Sequence, residues 1–390
     1  MKGALIVLAV GAMLTVEQRD AHRANQDPPS SAVSADGRFV AFITYSQLVA
    51  ADTDGESDVY VLDRATQQVT FESPDIPGYR SDSSYPGISG DGRFIVYERS
   101  QHVFLHDRQE DVTTNLGEGK QPAIAGNGRV VFFSAGQSDS AAGVDVNGGK
   151  SDIYAVDLAV DQVERVSVDL HGIDPNIVAN VTPSTSTDGR YVAFASNRQG
   201  KPGLHSPIVF VRDTMRQVTT LVGSGWNPSL SGDGRFVAFA GLSNRIPHIF
   251  VADLQTGETR IITNSIRRGL ANGPSAKPAM SSNGRFVAFQ SEANDLVAVE
   301  DFNLLWDVFV MDRTTNVITR LSGDRDEAWM EPSTGPAIDA TGSIVAFSSR
   351  HPTGVSDKGN DFDLYVASVH AATLASVPWK SRSLLARAGR

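Results

Sequence analysis

The chain of 390 residues contains no cysteine. Disulfide frameworks, thiolate zinc sites and cysteine nucleophiles are therefore excluded. Positive charge is scarce: 34 Lys and Arg stand against 45 Asp and Glu, a net charge of −11. That balance argues against a nucleic-acid partner, because neutralising phosphates takes Lys and Arg. No apolar run reaches the ~20 residues that a membrane-spanning helix needs. Catalytic motifs are also scarce. There is no G-x-S-x-G elbow and no H-E-x-x-H, which excludes an attached α/β-hydrolase and a zincin. His102 and His106 are four apart, but on a strand that spacing separates them by about 13 Å, too far to share one metal.

What is present points to an ordered, turn-rich protein. Hydrophobic residues make up 41% of the chain, with 35 Gly and 18 Pro. Length alone allows two or three domains or one large β-domain. Charge is uneven. Residues 378–390 form a basic tail with Lys380, Arg382, Arg387 and Arg390 and no acid, so the body of the chain is strongly acidic. An acidic body favours cations or basic partners. At the other end, Lys2 precedes an uncharged stretch over 3–16. Its size fits the apolar core of an export signal, although no small-x-small cleavage site precedes Glu17. Residues 1–24 are therefore read as an export signal, which implies a periplasmic or secreted protein. The alternative is a strand that closes the folded domain.

One phrase recurs seven times: SADGRFVAF (34–42), SGDGRFIVY (89–97), AGNGRVVFF (125–133), STDGRYVAF (186–194), SGDGRFVAF (231–239), SSNGRFVAF (281–289) and DATGSIVAF (339–347). From Gly37 to Gly342 the mean period is about 51 residues, within the range of propeller blades. Asp-Gly and Asn-Gly are strong hairpin signals because both turn residues need positive φ. The alternating run after each turn is rich in strand formers. A second strand follows every copy, as in DVYVLD (58–63) and DVFVMD (307–312), and a weaker third follows six of them. A short Pro-containing segment precedes each turn, with Pro86, Pro122, Pro183, Pro228, Pro278 and Pro336 expected at strand starts. Each unit thus has four strands, a to d. The expected fold is an all-β, seven-bladed β-propeller of four-stranded antiparallel blades, in one domain over 25–377.

The pattern P-x-x-S-x-DGR-[FY]-VAF followed by D-[VI]-[YF]-V-x-D-R resembles the propeller repeats of the TolB-like family, over roughly 29–370. The resemblance implies architecture and not partner binding. TolB carries a separate α/β domain for which this chain has no room. It usually has six blades, which makes six the alternative to the seven readable here.

Acid-rich loops between strands b and c are the most informative feature. They are Asp52, Asp54 and Asp58 in blade 1; Asp145, Asn147 and Asp152 in blade 3; Asp301, Asn303 and Asp307 in blade 6; and Asp357, Asp361 and Asp363 in blade 7. Oxygen ligands at such spacing suit Ca2+, which takes six to eight of them. The competing reading is that Asp and Asn are turn residues which bond to their own backbone. A second acid ends strand c in six blades (Asp63, Asp107, Asp157, Asp213, Asp253, Asp312) and is read as a turn former. The Arg after each turn is a candidate partner for it.

In an a-b-c-d blade the b–c and d–a loops open on one face. Aromatic residues in the d–a segments there, Tyr85, Trp226 and Trp329, with Glu331, are candidate ligand contacts. Packing between blades is the alternative for both tryptophans. With no assembled catalytic set, the expected function is a monomeric, non-catalytic envelope or extracellular binding propeller. It would be Ca2+-stabilised and would take a protein, peptide or glycan. The alternative is a propeller enzyme, a polysaccharide lyase or glycoside hydrolase, acting at the channel mouth.

Overall fold

A computed structural model describes residues 6–8, 13–16, 30–80, 82–136, 151–167, 177–198, 207–298, 304–322, 332–350 and 363–369. It is a seven-bladed propeller, which settles the choice between seven and six blades. Blade 1 is β3 (Ser31–Val33), β4 (Phe39–Thr44), β5 (Asp58–Asp63) and β6 (Gln68–Phe71). Blade 2 is β7 (Ser83–Ile88), β8 (Phe94–Arg99), β9 (His102–Asp107) and β10 (Val112–Glu118). Blade 3 is β11 (Lys120–Ile124), β12 (Val130–Ala135), β13 (Asp152–Asp157) and β14 (Gln162–Arg165). Blade 4 is β15 (Ile177–Thr185), β16 (Tyr191–Arg198), β17 (Ile208–Asp213) and β18 (Val218–Ser224). Blade 5 is β19 (Trp226–Leu230), β20 (Phe236–Ser243), β21 (Ile246–Asp253) and β22 (Glu258–Ile261). Blade 6 is β23 (Ser275–Met280), β24 (Phe286–Ser291), β25 (Asp307–Asp312) and β26 (Val317–Arg320). Blade 7 is β27 (Ser333–Ile338), β28 (Ile344–Ser349) and β29 (Asp363–Ser368), and it takes its fourth strand from the start of the chain. There β2 (Met13–Val16) pairs with β29 through Thr15↔Tyr365 and Val16↔Leu364, and β1 (Ile6–Leu8) adds a fifth strand. Residues 371–377, the other candidate for this strand, lie outside the described residues.

The b and c strands are apolar on both faces because each blade is sandwiched between two others. β4 and β5 are buried almost throughout, whereas the outer strand β6 alternates exposed and half-buried residues. Seven apolar clusters among the described residues fill the seven interfaces. Val40, Tyr60 and Leu62 meet Ile344, Leu364 and Val366 between blades 1 and 7, so the ring is packed shut where it closes. One b–c aromatic pair stacks in every blade, from Phe42–Tyr60 at 6.0 Å to Phe347–Tyr365 at 5.6 Å, a cross-strand contact of the kind that stabilises sheets.

The a–b turns close the ring a second way. Backbone hydrogen bonds run from each turn to the next: Ala35 N to Gly90 O, Gly90 N to Gly126 O, Asn127 N to Thr187 O, Thr187 N to Gly232 O, Gly232 N to Ser282 O, Asn283 N to Ala340 O and Ala340 N back to Ala35 O. Inside the turn, Ser34 Oγ donates to Asp36 Oδ1 at 2.7 Å, and the same oxygen accepts the Arg38 amide at 2.9 Å. The turn Arg then pairs with the acid that ends strand c. Arg93 reaches Asp107 through Nε (2.9 Å) and Nη2 (2.6 Å), and the pair recurs in blades 1 to 6. These bonds hold Asp63, Asp107, Asp157, Asp213, Asp253 and Asp312 below the ordinary carboxylate range. Blade 7 lacks both members, with Ser343 and Ser368 in their places.

The prolines are not at strand starts. They sit inside strand a, each after a residue of positive φ: Tyr85 (51°), Gln121 (52°), Thr182 (53°), Asn227 (50°), Lys277 (49°) and Gly335 (66°). The a–b register slips at each of these points, as between Ser84 and Gly87. A bulge on an edge strand accommodates Pro, which has no N–H to give the ladder. The a strands of successive blades touch all the way round, which places these bulges on the channel wall.

Candidate functional site

The a–b and c–d face is occupied by its own turns and ion pairs. Chemistry is to be sought on the opposite face, where the b–c and d–a connections differ from blade to blade. Blade 1 carries the one group of three acids or histidines among the described residues with metal-ligand spacing: oxygens of Asp52, Asp54 and Asp58 lie within 4.8 Å of one another. Local structure forces them together. Asp52 Oδ1 accepts the Asp54 amide at 3.2 Å, and Asp54 Oδ1 accepts the Glu56 amide at 2.9 Å, two successive Asx turns. Gln47 Nε2 donates to the Asp54 carbonyl within the loop, and Tyr60 OH donates to Asp52 Oδ2, tying the loop to strand c.

Asp58 is buried, as are Asp152 and Asp307 at the same place in blades 3 and 6. Each accepts from a serine just after strand d: Ser73 Oγ at 2.7 Å, Ser167 Oγ at 2.7 Å and Ser322 Oγ at 2.6 Å. The same serines accept the next amide of strand c. This Asp–Ser latch joins strand c to the end of strand d. Arg320 Nη1 lies 3.3 Å from Asp307 Oδ2, and Arg165 Nη1 lies 3.7 Å from Asp152 Oδ2. Asp363 is buried at the same place in blade 7. Asp145, Asn147, Asp301, Asn303, Asp357, Asp361, Trp329 and Glu331 lie outside the described residues.

Asp58 also receives Arg99 from blade 2. Arg99 is 1% exposed and donates to Asp58 Oδ1 (3.2 Å), the carbonyls of Ser73 (2.7 Å) and Pro74 (2.8 Å), and Ser83 Oγ (3.1 Å). Burial nevertheless dominates, and it pushes the Asp58 carboxyl up to about 7, with Asp54 and Asp52 adding like-charge repulsion. Three converging carboxylates, one held half-protonated near neutrality, are an all-oxygen donor set. Such a set fits a hard divalent cation and not a soft one. Carbonyls and water would complete the shell.

The channel wall is the second feature of this face. The bulges in it fall at Tyr85, Gln121, Thr182, Asn227 and Lys277. The freed amides are capped from the preceding blade: Gln121 N by Glu98 Oε2 (3.1 Å), Thr182 N by Gln121 Oε1 (3.1 Å) and Gly335 N by Gln290 Oε1 (3.0 Å). Half-burial raises the Glu98 carboxyl above its ordinary range. Tyr85 is thus on the channel wall. Trp226 opens β19 and packs, half-buried, against the core between blades 5 and 6. His106 belongs to the interface of blades 1 and 2: Nε2 lies 3.3 Å from Glu72 Oε2, and Arg108 Nε lies 2.9 Å from Glu72 Oε1. Burial acts to raise Glu72, but His106 and Arg108 hold it below its ordinary range. The x-Pro of strand a was visible in the sequence, but nothing there marked Arg99, whose role comes from the contact between blades 1 and 2.

No family model matches the chain, and no curated protein matches it by sequence. Solved structures do. Two structures of oligogalacturonate lyase match with a TM-score of 0.58. One, from Vibrio parahaemolyticus, is 13% identical and covers 95% of this chain and 99% of its own. The other, a complex with manganese, is 12% identical and covers 95% and 97%. The propeller domain of the Trilobed protease from Pyrococcus furiosus, described as having an open velcro topology, matches at 0.57 and 12% identity, over 87% and 95%. At these identities the likeness is one of fold. The TolB-like resemblance holds at the level of the propeller. The expectation of a non-catalytic propeller is not supported by these matches, which are two structures of a lyase and the propeller domain of a protease. The absence of a familiar motif could not show this, since propellers mount chemistry on side chains from separate blades. No helix among the described residues is long and apolar enough to cross a membrane.

Proposed function

We propose that this chain is a propeller enzyme acting on an acidic glycan, a lyase of uronic-acid oligosaccharides. It would work at the channel mouth on the face of the b–c and d–a loops. The observation that carries the reading is the near full-length match to oligogalacturonate lyase structures. β-Elimination takes the proton α to the uronate carboxyl, forms a carbon–carbon double bond and expels the neighbouring glycosidic oxygen, which leaves with a proton. The step calls for a base, a proton donor and positive charge at the carboxylate. Of the residues at the bulges, Tyr85 and Lys277 are the titratable ones, and each is a candidate for proton transfer.

The Asp52, Asp54 and Asp58 group takes a hard divalent cation, Ca2+ in the first instance, that fixes the blade 1 loop. Residues 1–24 would direct export without being removed, since β2 within them supplies the fourth strand of blade 7. A protein cut after residue 24 would lack β2 and leave the outer edge of β29 open, and sequencing the N terminus of the exported protein tests this.

Incubation with oligogalacturonates, with and without Ca2+ or Mn2+, tests the main reading. Unsaturated uronate, followed by its ultraviolet absorbance, is the expected product. New reducing ends without that absorbance would make the protein a hydrolase. Neither product from any uronate oligomer would reject the reading.

A further inference from the structure

The acidic body carries a local reversal of charge on the loop face of blades 5 and 6. The connection from β22 to β23 folds into a short arm, closed by an Asn264↔Leu270 bridge and by Ser265 N donating to Gly269 O at 3.0 Å. At its tip Ile266, Arg267, Arg268 and Gly269 are exposed. The arm is not a loose loop. Asp295, from the b–c loop of blade 6, accepts the Ile266 amide on its carbonyl (2.9 Å) and the Asn272 amide on its carboxylate (3.0 Å), while Ser265 Oγ accepts the Arg267 amide (3.0 Å).

On the same face, the b–c turn of blade 5 is the two-residue link Asn244-Arg245 between paired Ser243 and Ile246. Arg245 (φ 68°) and Arg268 (φ 79°) both occupy the left-handed region. Glycine usually fills such places, and a long cation there gains the backbone nothing. No described acid forms an ion pair with Arg245, Arg267 or Arg268, whereas the turn arginines of the opposite face are paired in six blades. The same face of blade 1 is acidic. Guanidinium groups held on a fixed backbone and left unpaired suit carboxylates, which they meet with two parallel N–H donors.

We infer that Arg267 and Arg268, with Arg245, form a carboxylate-binding arm that holds the uronate groups of an acidic oligosaccharide running from blades 5 and 6 toward the channel. The inference rests on the acidic-glycan reading above and names the residues that would make the chain selective for it.

Binding of a galacturonic acid tetramer is measured directly by calorimetry, with a neutral glucose tetramer as control. The proteins are the full chain, an R267A/R268A variant, R245A, and R216A, whose exposed arginine lies in a c–d turn on the other face. The arm predicts binding of the acidic tetramer alone, weakening with salt. It also predicts about a tenfold or greater loss in R267A/R268A, a smaller loss in R245A and no change in R216A, with all melting temperatures alike. Undiminished binding by R267A/R268A, no binding by the full chain, or equal binding of a single-stranded oligonucleotide of the same charge would each overturn it. Arginine-dependent binding without unsaturated product would reject the lyase and keep the arm. Product formation indifferent to the arginines would do the reverse.

Discussion

The two faces of this propeller are built on opposite rules. On the a–b and c–d face one solution is repeated almost without change: a Ser-x-Asp/Asn-Gly turn, an Arg–Asp pair across strands b and c, and an amide bonded to the next turn, until the belt meets itself at Ala340 and Ala35. On the other face the described connections vary from blade to blade. Blade 1 gathers three carboxylates, blades 2 and 5 have two-residue b–c turns, and the β22–β23 connection extends into an arginine arm. Repetition marks where the chain solves its own closure. Irregularity marks where the same scaffold is free to carry chemistry.

The largest effect is expected where the two rules meet, at the buried Arg99–Asp58 contact between blades 1 and 2. Arg99→Met leaves a buried carboxylate without its cation and should cost about 3–5 kcal/mol in denaturant unfolding at pH 8. The cost should shrink on acidification, because Asp58, whose carboxyl lies at about 7 in the folded protein, takes up a proton instead. A loss that does not depend on pH would deny the coupling.

Next is a break in the repeating face. Gly342 has φ of +80°, and an added Cβ would run into the Phe286 ring of blade 6. Gly342→Ala combines left-handed strain with overpacking, so about 2–4 kcal/mol should be lost. The same change at Gly257, where φ is +74° but nothing stands within 4 Å, should cost only the strain. Equal losses at the two sites would show that interblade packing under the turns is not tight.

The third prediction concerns the irregular face. In EDTA the raised Asp58 carboxyl contributes stability that is complete below its unfolded value near 4 and is lost as pH rises through about 7. Calcium should therefore stabilise the fold most at pH 8, by about 2.7 kcal/mol at 100 times its dissociation constant, with a matching rise in melting temperature, and progressively less below pH 7 as protons compete. Asp54→Asn should remove most of the calcium effect. A melting temperature indifferent to calcium at pH 8 would leave the three acids as loop formers.

The smallest effect is expected at a single exposed pair. Arg129→Ala breaks one of six equivalent Arg–Asp bridges, with Arg129 58% exposed, and should cost no more than about 1 kcal/mol. A loss several times larger would mean that the belt acts cooperatively.

Sequence and structure agree most closely on the repeating face. Seven copies of one turn and strand pattern specified the blades, their order, and the Arg and Asp that pair, because these contacts lie within one repeat or between like positions of neighbours. Asp58, Asp152 and Asp307 looked alike in sequence, yet only Asp58 brings a close trio with it among the described residues. Their shared burial under a serine depends on where strand d ends. The arginine arm was illegible in the sequence, since its three arginines are more than twenty residues apart at the extremes and lie in two different connections of the same face. The source of the fourth strand of blade 7 was an open choice between the two ends of the chain.

By itself the sequence determined the periodic part of the protein: an all-β chain of seven units, each with its own turn, its own core residues and its own ion pair. Such local patterns repeat the same short-range physics in every copy. Only the tertiary structure decided how the ring closes, why proline sits in the middle of the inner strands, and which of the acid-rich loops gathers three carboxylates. Those depend on contacts between residues far apart in the chain, whose geometry no repeat records.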